Sequence, residues 1–150
     1  MRIAMGNDHK GFKLKQEIIT FLKETVHEFE DFGCFDTSSV DYPDIAQTVG
    51  FAVAEGKFDR GILICDTGIG MSIAANKVNG IRAAVCCDIF CTERSRLHNN
   101  ANILCLGASI TENKQAIDIV SVFLNTGFEG GRHLRRVEKI HSIESICQSR

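Results

Sequence analysis

Residues Gly61–Gly80 read GILICDTGIGMSIAANKVNG. The run Ile62-Leu63-Ile64, continuing into Cys65, is short, β-branched and without alternation. That pattern predicts a strand buried on both faces of a parallel sheet. Asp66-Thr67-Gly68-Ile69-Gly70 then turns the chain, and from Met71 the pattern of Ile73, Ala74, Ala75 and Lys77 predicts a helix ending near Asn79-Gly80. Two glycines let the loop turn its amides toward a ligand. A helix start adds unpaired N–H groups and a partial positive charge. The stretch is therefore a candidate site for an anion, or for an oxygen that becomes anionic, with a thiol one residue before it.

Glycines after a strand often only connect elements, and a cysteine there is often a buried small hydrophobe. What favours function is an ionisable thiol, the Thr67 hydroxyl and a row of amides within a few residues. The spelling excludes three familiar loops. A dinucleotide fingerprint needs a third glycine where Ile73 stands, and it follows a first strand. A Walker loop needs G-K-[ST]. A cysteine phosphatase resembles C-x5-R, and Met71 holds the arginine position.

Working outward, 150 residues suit one domain, residues 1–150, with a sizeable core. A net charge of -2 gives no general attraction to nucleic acid or membranes, so anion binding must be local. No apolar run approaches the length of a membrane span, and the N-terminus lacks the apolar core of a signal peptide. The cysteines (Cys34, Cys65, Cys86, Cys87, Cys91, Cys105 and Cys147) read as reduced thiols of a cytoplasmic protein. Zinc is only weakly indicated: there is no pair of C-x2-C elements, and the one cluster is Cys86-Cys87-Cys91.

A first strand, Arg2 to Gly6, is followed by Asn7-Asp8-His9 and a helix over Lys10 to Glu24 with Leu14, Ile18, Phe21 and Leu22 on one face. Val26 to Phe32 predicts the second strand. Pro43 opens a helix that ends at Gly56. Ile81 to Cys87 predicts the fourth strand, with AAVCC its buried part, and Asp88 caps a helix to about Leu97. His98 to Asn102 reads as a polar connection into a fifth strand, Ile103 to Leu106. Thr111 reads as the cap of the next helix, and a last helix runs from Arg132 to about Cys147.

Strands alternating with helices predict an α/β fold: one doubly wound, Rossmann-like domain with a five-stranded parallel sheet and helices on both faces. The expected order is 2-1-3-4-5. The connections then reverse between strands 1 and 3, where such sheets bind ligands at the carboxyl ends. Those two ends carry Asp8-His9 and Cys65 to Gly70. His9 is either a ligand or a capping residue. Arg132 and Arg136, four apart, share a helical face and form either a phosphate fork or a solvated surface. His98 is either functional or a turn residue. The residues alone give an α/β enzyme for a small anionic substrate, with a loop thiol. A flavodoxin-like binding or signalling module is the alternative. Asp8 and Asp66 loosely imitate a phospho-receiver, but its lysine after strand five is missing from Leu106-Gly107-Ala108-Ser109.

Five segments resemble ribose-5-phosphate isomerase B, of the ribose/galactose phosphate isomerase family. They are Asn7-Asp8-His9-Lys10-Gly11-Phe12, Asp41-Tyr42-Pro43-Asp44, ILICDTGIGMSIAANKVNGIRAA, Arg96-Leu97-His98-Asn99 and the run from Glu129 to Glu138. The resemblance implies an aldose–ketose isomerase of the pentose phosphate pathway that needs neither metal nor cofactor. It implies Cys65 as the base moving a proton between C1 and C2, with the Thr67–Gly70 amides (Thr67, Gly68, Ile69 and Gly70) on the enediolate oxygen. His98 then opens the furanose ring, with Asp8 nearby; His9, Arg132 and Arg136 hold the phosphate; Tyr42 and Asn99 line the sugar site. A free thiol is mostly protonated at neutral pH, and a helix start can activate it. Two positions depart from the family pattern: Asp66 replaces a glycine beside the thiol, and Ser109 replaces an arginine that contacts phosphate. Six-carbon sugar phosphates, those of allose and galactose, therefore stay open. The family is dimeric or larger. Joining Cys65 and His98 at one sugar calls for a homodimer or homotetramer with sites shared between subunits.

Overall fold

The structure, a computed structural model, describes residues 1–148. Its elements alternate as expected: β1 (Arg2–Asn7), α1 (Phe12–Lys23), β2 (Glu28–Asp31), α2 (Tyr42–Ala54), β3 (Arg60–Cys65), α3 (Ile69–Ala75), β4 (Ala83–Val85), α4 (Ile89–Asn99), β5 (Ile103–Gly107), α5 (Asn113–Asn125) and α6 (Arg132–Gln148). The strands form one five-stranded parallel sheet. It is a doubly wound α/β fold, as the alternation predicts.

The strand order is β2-β1-β3-β5-β4, which corrects the expected 2-1-3-4-5. Burial gives the reason. Every residue of β5 is buried, whereas β4 is three residues long, with Ala83 and Ala84 half-buried and Val85 38% exposed. The strand with apolar side chains for both faces takes the inner position. The expectation that AAVCC is buried fails for the same reason: Cys86 is buried, but Cys87 faces out at the edge. The switch between β1 and β3 survives, because β2 still lies on the far side of β1.

Alternation along β3 feeds two cores. Ile62 and Ile64 pack with Leu14, Ile18, Phe123 and other residues of α1 and α5. Leu63 and Cys65 pack with Val49 and Val53 of α2 and Met71 and Ala75 of α3. Each large aliphatic side chain so buried contributes about 1.5–3 kcal/mol. Helix α4 lies on the α5 side, where the Arg96 guanidinium sits 5.8 Å from the Phe123 ring centroid.

Several boundaries differ from expectation. Val26 is 93% exposed in the turn before β2, which starts only at Glu28. Helix α3 stops at Ala75, short of Asn79. Helix α4 continues through His98 and Asn99 and ends where Asn100 turns left-handed at φ 48°. Asp88 caps α4 as expected, accepting the Cys91 N–H at 2.7 Å. Thr111 does not cap α5: Glu112 occupies that position, and the Thr111 hydroxyl is buried without a partner among the described residues. The Cys147 side chain lies outside the described residues.

Two buried cations pin the loops around this frame. Lys15, fully buried, reaches the Asp31 carboxylate at 2.7 Å and the Cys34 carbonyl at 2.7 Å. Arg96 donates to the Thr126 and Ala101 carbonyls and to Asn100 Oδ1. Burial pulls its pKa down to about 10, with Arg60 and Arg82 adding to the effect. It therefore remains charged at neutral pH and fastens the end of α4 to the segment after α5.

Candidate active site

The expected site residues fall into two groups. The first gathers at the carboxyl ends of β1, β3 and β5. Cys65 closes β3, 5% exposed, opposite Gly107 of β5. Asn7 stands opposite Ile64, and the Asp8 N–H donates to the Ile64 carbonyl at 3.0 Å, which places Asp8 at the neighbouring strand end. The Gly68 N–H donates to Cys65 Sγ at 3.1 Å. It can do so because Gly68 has φ +77°, which side-chain-bearing residues rarely adopt. The backbone thus holds the sulfur in one place.

Helix α3 has only seven residues, so the loop supplies most of the site's polarity. The row of four expected amides is narrower than the sequence suggested. Gly68 serves the sulfur, and the Ile69 N–H leans on Thr67 Oγ1 at 3.4 Å. Among the described residues, the Thr67 and Gly70 N–H groups have no partner and stay open to a ligand oxygen. The Tyr42 ring covers Gly70 so closely that a Cβ there would stand 2.7 Å from Tyr42 Cζ.

Asp8 is buried, and its Oδ1 accepts the Lys10 and Gly11 N–H groups at 2.9 and 3.1 Å. That bond shapes the turn into α1. His9 Nδ1 accepts the Val40 N–H at 3.4 Å, which leaves Nε2 as the donor. The two departures from the family pattern meet each other: Ser109 Oγ donates to Asp66 Oδ1 at 2.5 Å. Asp66 is exposed, its carboxylate engaged by that hydroxyl.

The second group gathers where α4 ends and α6 begins. His98 Nε2 lies 3.6 Å from Glu129 Oε2, and His133 Nε2 lies 3.8 Å from the same oxygen. The two rings stack with centroids 4.1 Å apart and planes 5° from parallel. Arg132 Nε donates to His133 Nε2 at 3.4 Å, and Asn99, Arg132 and Arg136 are exposed. Burial of His133, 4% exposed, pushes its pKa below the ordinary histidine value; the His98, Arg132 and Arg136 charges act the same way and Glu129 opposes them. Glu129 and His133 lie in the run that carries the resemblance, which implies no role for either; their i, i+4 spacing is the sequence signal that pairs them.

His98, Glu129 and His133 hold ligand-type atoms within 4.8 Å of one another. They do not make a metal cage. A metal lies in the plane of each imidazole that binds it, and two nearly parallel planes offer no common point. The Arg132 N–H also occupies the His133 nitrogen.

No hydrogen bond or ion pair joins the two groups among the described residues. They sit at opposite ends of the sheet. His98 is close before Ile103, where β5 starts, and Cys65 is opposite Gly107, where it ends. Five residues of strand separate these levels by roughly 13–17 Å. They also favour opposite faces, Cys65 facing α2 and α3, and α4 packing on α5. Lateral distance in the sheet is not the source of the separation, because β5 adjoins β3.

Burial pushes the Cys34, Cys86 and Cys105 thiols up, which keeps them protonated. Among the described residues no helix is long and apolar enough to cross a membrane.

The model of the Ribose/Galactose Isomerase family matches residues 3–140. The solved structure of Clostridium thermocellum ribose-5-phosphate isomerase B is similar at TM-score 0.95 and 52% identity, covering 97% of this chain and 98% of that one. Escherichia coli ribose-5-phosphate isomerase B is 48% identical over 95% of this chain and 96% of its own. A D-erythrulose-4-phosphate isomerase of Pectobacterium atrosepticum is 43% identical over 96% of this chain and 95% of its own. With the thiol loop, the fold and the match over most of its length in agreement, the chain belongs to the ribose/galactose isomerase family.

Proposed function

We propose that the chain interconverts D-ribose 5-phosphate and D-ribulose 5-phosphate, a cytoplasmic reaction of the pentose phosphate pathway. The observation that carries this reading is Cys65 Sγ, fixed by the Gly68 N–H beside the two open amides of Thr67 and Gly70. Starting from the aldose, the thiolate takes the C2 proton, and O1 or O2 of the resulting enediolate rests on those amides. The proton returns to C1 while a hydroxyl proton passes from O2 to O1, so no atom is gained or lost. Asp8 and His98 assist ring opening. His9, Arg132 and Arg136 hold the phosphate, and Tyr42, Asn99 and the loop from Asp66 to Gly70, with Ser109, line the sugar.

The second group reaches the first only from another copy, so the working unit is a homodimer, or a homotetramer of such pairs. A two-fold axis makes two equivalent sites of this kind. Exposed apolar side chains support the pairing: Ile69 and Ile73 lie on α3 beside the thiol loop, and Phe51 lines a cleft of about 650 Å³ between α2 and the segment from Ala74 to Asn79.

Ser109, which brings no positive charge, favours a second reading in which the sugar has six carbons, as in allose or galactose 6-phosphate. The Pectobacterium relative's name adds a four-carbon sugar. Measuring kcat/KM for these phosphates beside ribose 5-phosphate decides among them. In D2O, isomerisation should carry deuterium from solvent onto C1 or C2. A protein that turns over no sugar phosphate, and whose thiols alkylate equally fast with and without ribose 5-phosphate, is not this isomerase.

A further inference from the structure

We propose that Asp66, held by Ser109, accepts a hydrogen bond from a sugar hydroxyl and thereby sets which sugar phosphate the isomerase prefers. This rests on the isomerase reading above. The Asp66 carboxylate is placed by its neighbours. Ser109 Oγ donates to Oδ1 at 2.5 Å, and the Ser109 N–H donates to the Asp66 carbonyl at 3.0 Å. The Ala108 N–H donates to the Cys65 carbonyl at 2.8 Å. These bonds fasten the segment after β5 onto the thiol loop and hold the carboxylate one residue from the sulfur. No hydrogen bond to Asp66 Oδ2 is found among the described residues, and the residue is exposed.

An ionised carboxylate only accepts hydrogen bonds. Of the groups on a sugar phosphate, it can meet a hydroxyl favourably, and it repels a phosphate by like charge. Asp66 therefore fixes which end of the substrate comes here. The hydroxyl-bearing part faces Asp66, and the phosphate goes to the Arg132 and Arg136 guanidinium groups that the isomerase reading assigns to it. Chain length and hydroxyl configuration then decide whether a given sugar offers its hydroxyl at that oxygen. Sites built to bond a hydroxyl reject analogues that cannot offer it far more strongly than apolar pockets reject a size change. Ser109 is a positioning residue, acting through Asp66.

The test measures kcat and KM for erythrose 4-phosphate, ribose 5-phosphate and allose 6-phosphate, with inorganic phosphate as a competing inhibitor. The proteins are wild type, Asp66→Ala, Asp66→Asn, Ser109→Ala and Ser109→Thr. On the sugar that wild type prefers, Asp66→Ala should lose about 10- to 100-fold in kcat/KM, mostly through KM, and the spread among the three sugars should shrink. Asp66→Asn, which keeps an acceptor, should lose less. Ser109→Ala should shift the preference the same way by a smaller factor, and Ser109→Thr should restore it. Inhibition by phosphate should stay equal or tighten in Asp66→Ala. Equal loss on all three sugars overturns the proposal, because Asp66 then only supports the loop. An unchanged preference, or weaker phosphate inhibition, overturns it too. If Asp66→Ala does not fold, the Ser109→Ala and Ser109→Thr pair decides: no shift, or no rescue, refutes it. Wild type inactive on all three sugars instead removes the isomerase reading itself.

Discussion

His98 and His133 stack face to face, 4.1 Å between centroids, with Glu129 Oε2 within 3.8 Å of both Nε2 atoms. Two imidazolium rings cannot share that spacing cheaply, because one carboxylate does not neutralise two cations. His133 is the more buried ring, and its pKa is lowered first by desolvation and then by His98.

That arrangement predicts acid sensitivity. The folded pKa of His133 lies below the unfolded value, about 6.5. The unfolded chain therefore binds the proton more readily, and stability rises with pH through this window. Stability is fully present above about pH 6.5, is lost as pH falls, and the loss is complete below the folded value. Melting temperature followed from pH 8 to pH 5 should fall, and His133→Gln should fall less steeply. Parallel curves for the two proteins would remove His133 as the cause.

Cys65→Ala should keep its melting temperature within a few degrees while losing at least ~10²–10⁴-fold in turnover. Near-normal turnover excludes the thiol from the mechanism. Far-ultraviolet circular dichroism checks the fold.

Arg136→Ala should raise KM for the sugar phosphate and the inhibition constant of inorganic phosphate together, by roughly tenfold each. A fall in kcat with phosphate competition unchanged would place Arg136 outside the phosphate site.

Mixing separates one-chain sites from shared ones. Cys65→Ala and His98→Ala proteins, each inactive alone, are unfolded and refolded together. Half of randomly paired dimers are mixed, each with one intact site, so activity should return to roughly a quarter of wild type. Confirmed exchange without recovery means that His98 works within its own chain.

Arg96→Lys should cost about 2–4 kcal/mol, read by urea unfolding, because the Thr126 and Ala101 carbonyls lose their shared donor inside the protein. No change in the midpoint would show that water replaces the guanidinium.

What the sequence made legible follows from how local each signal is. Ile62-Leu63-Ile64 announces a buried strand because its own side chains fill both faces. Pro43 and Asp88 announce helix starts because the signals lie within one turn. The place of β5 beside β3 was not legible, since lateral order depends on competition between strands far apart in sequence. Val26 misled because a β-branched residue reads as strand even when a turn carries it into solvent. His98 and Asn99 read as loop because their polarity hides the last turn of α4. In the site, the thiol and its loop were readable as one contiguous stretch. The Asp66–Ser109 bond and the His98–Glu129–His133 cluster were not, because each joins segments that only the fold brings together.

The inner position of β5 also governs when the sheet can be completed. Gly61 of β3 pairs with Ile103, across α3, β4 and α4. Until β5 arrives, β3 has an open apolar edge, and β4 has no partner in the sheet, since among the described residues it pairs only with β5. A chain emerging from the ribosome therefore carries an unpaired, aggregation-prone strand through all of α4. The non-local closure makes insertion of β5 the natural slow step of folding. Once made, it joins the β2-β1-β3 half of the sheet to β4 in a single event.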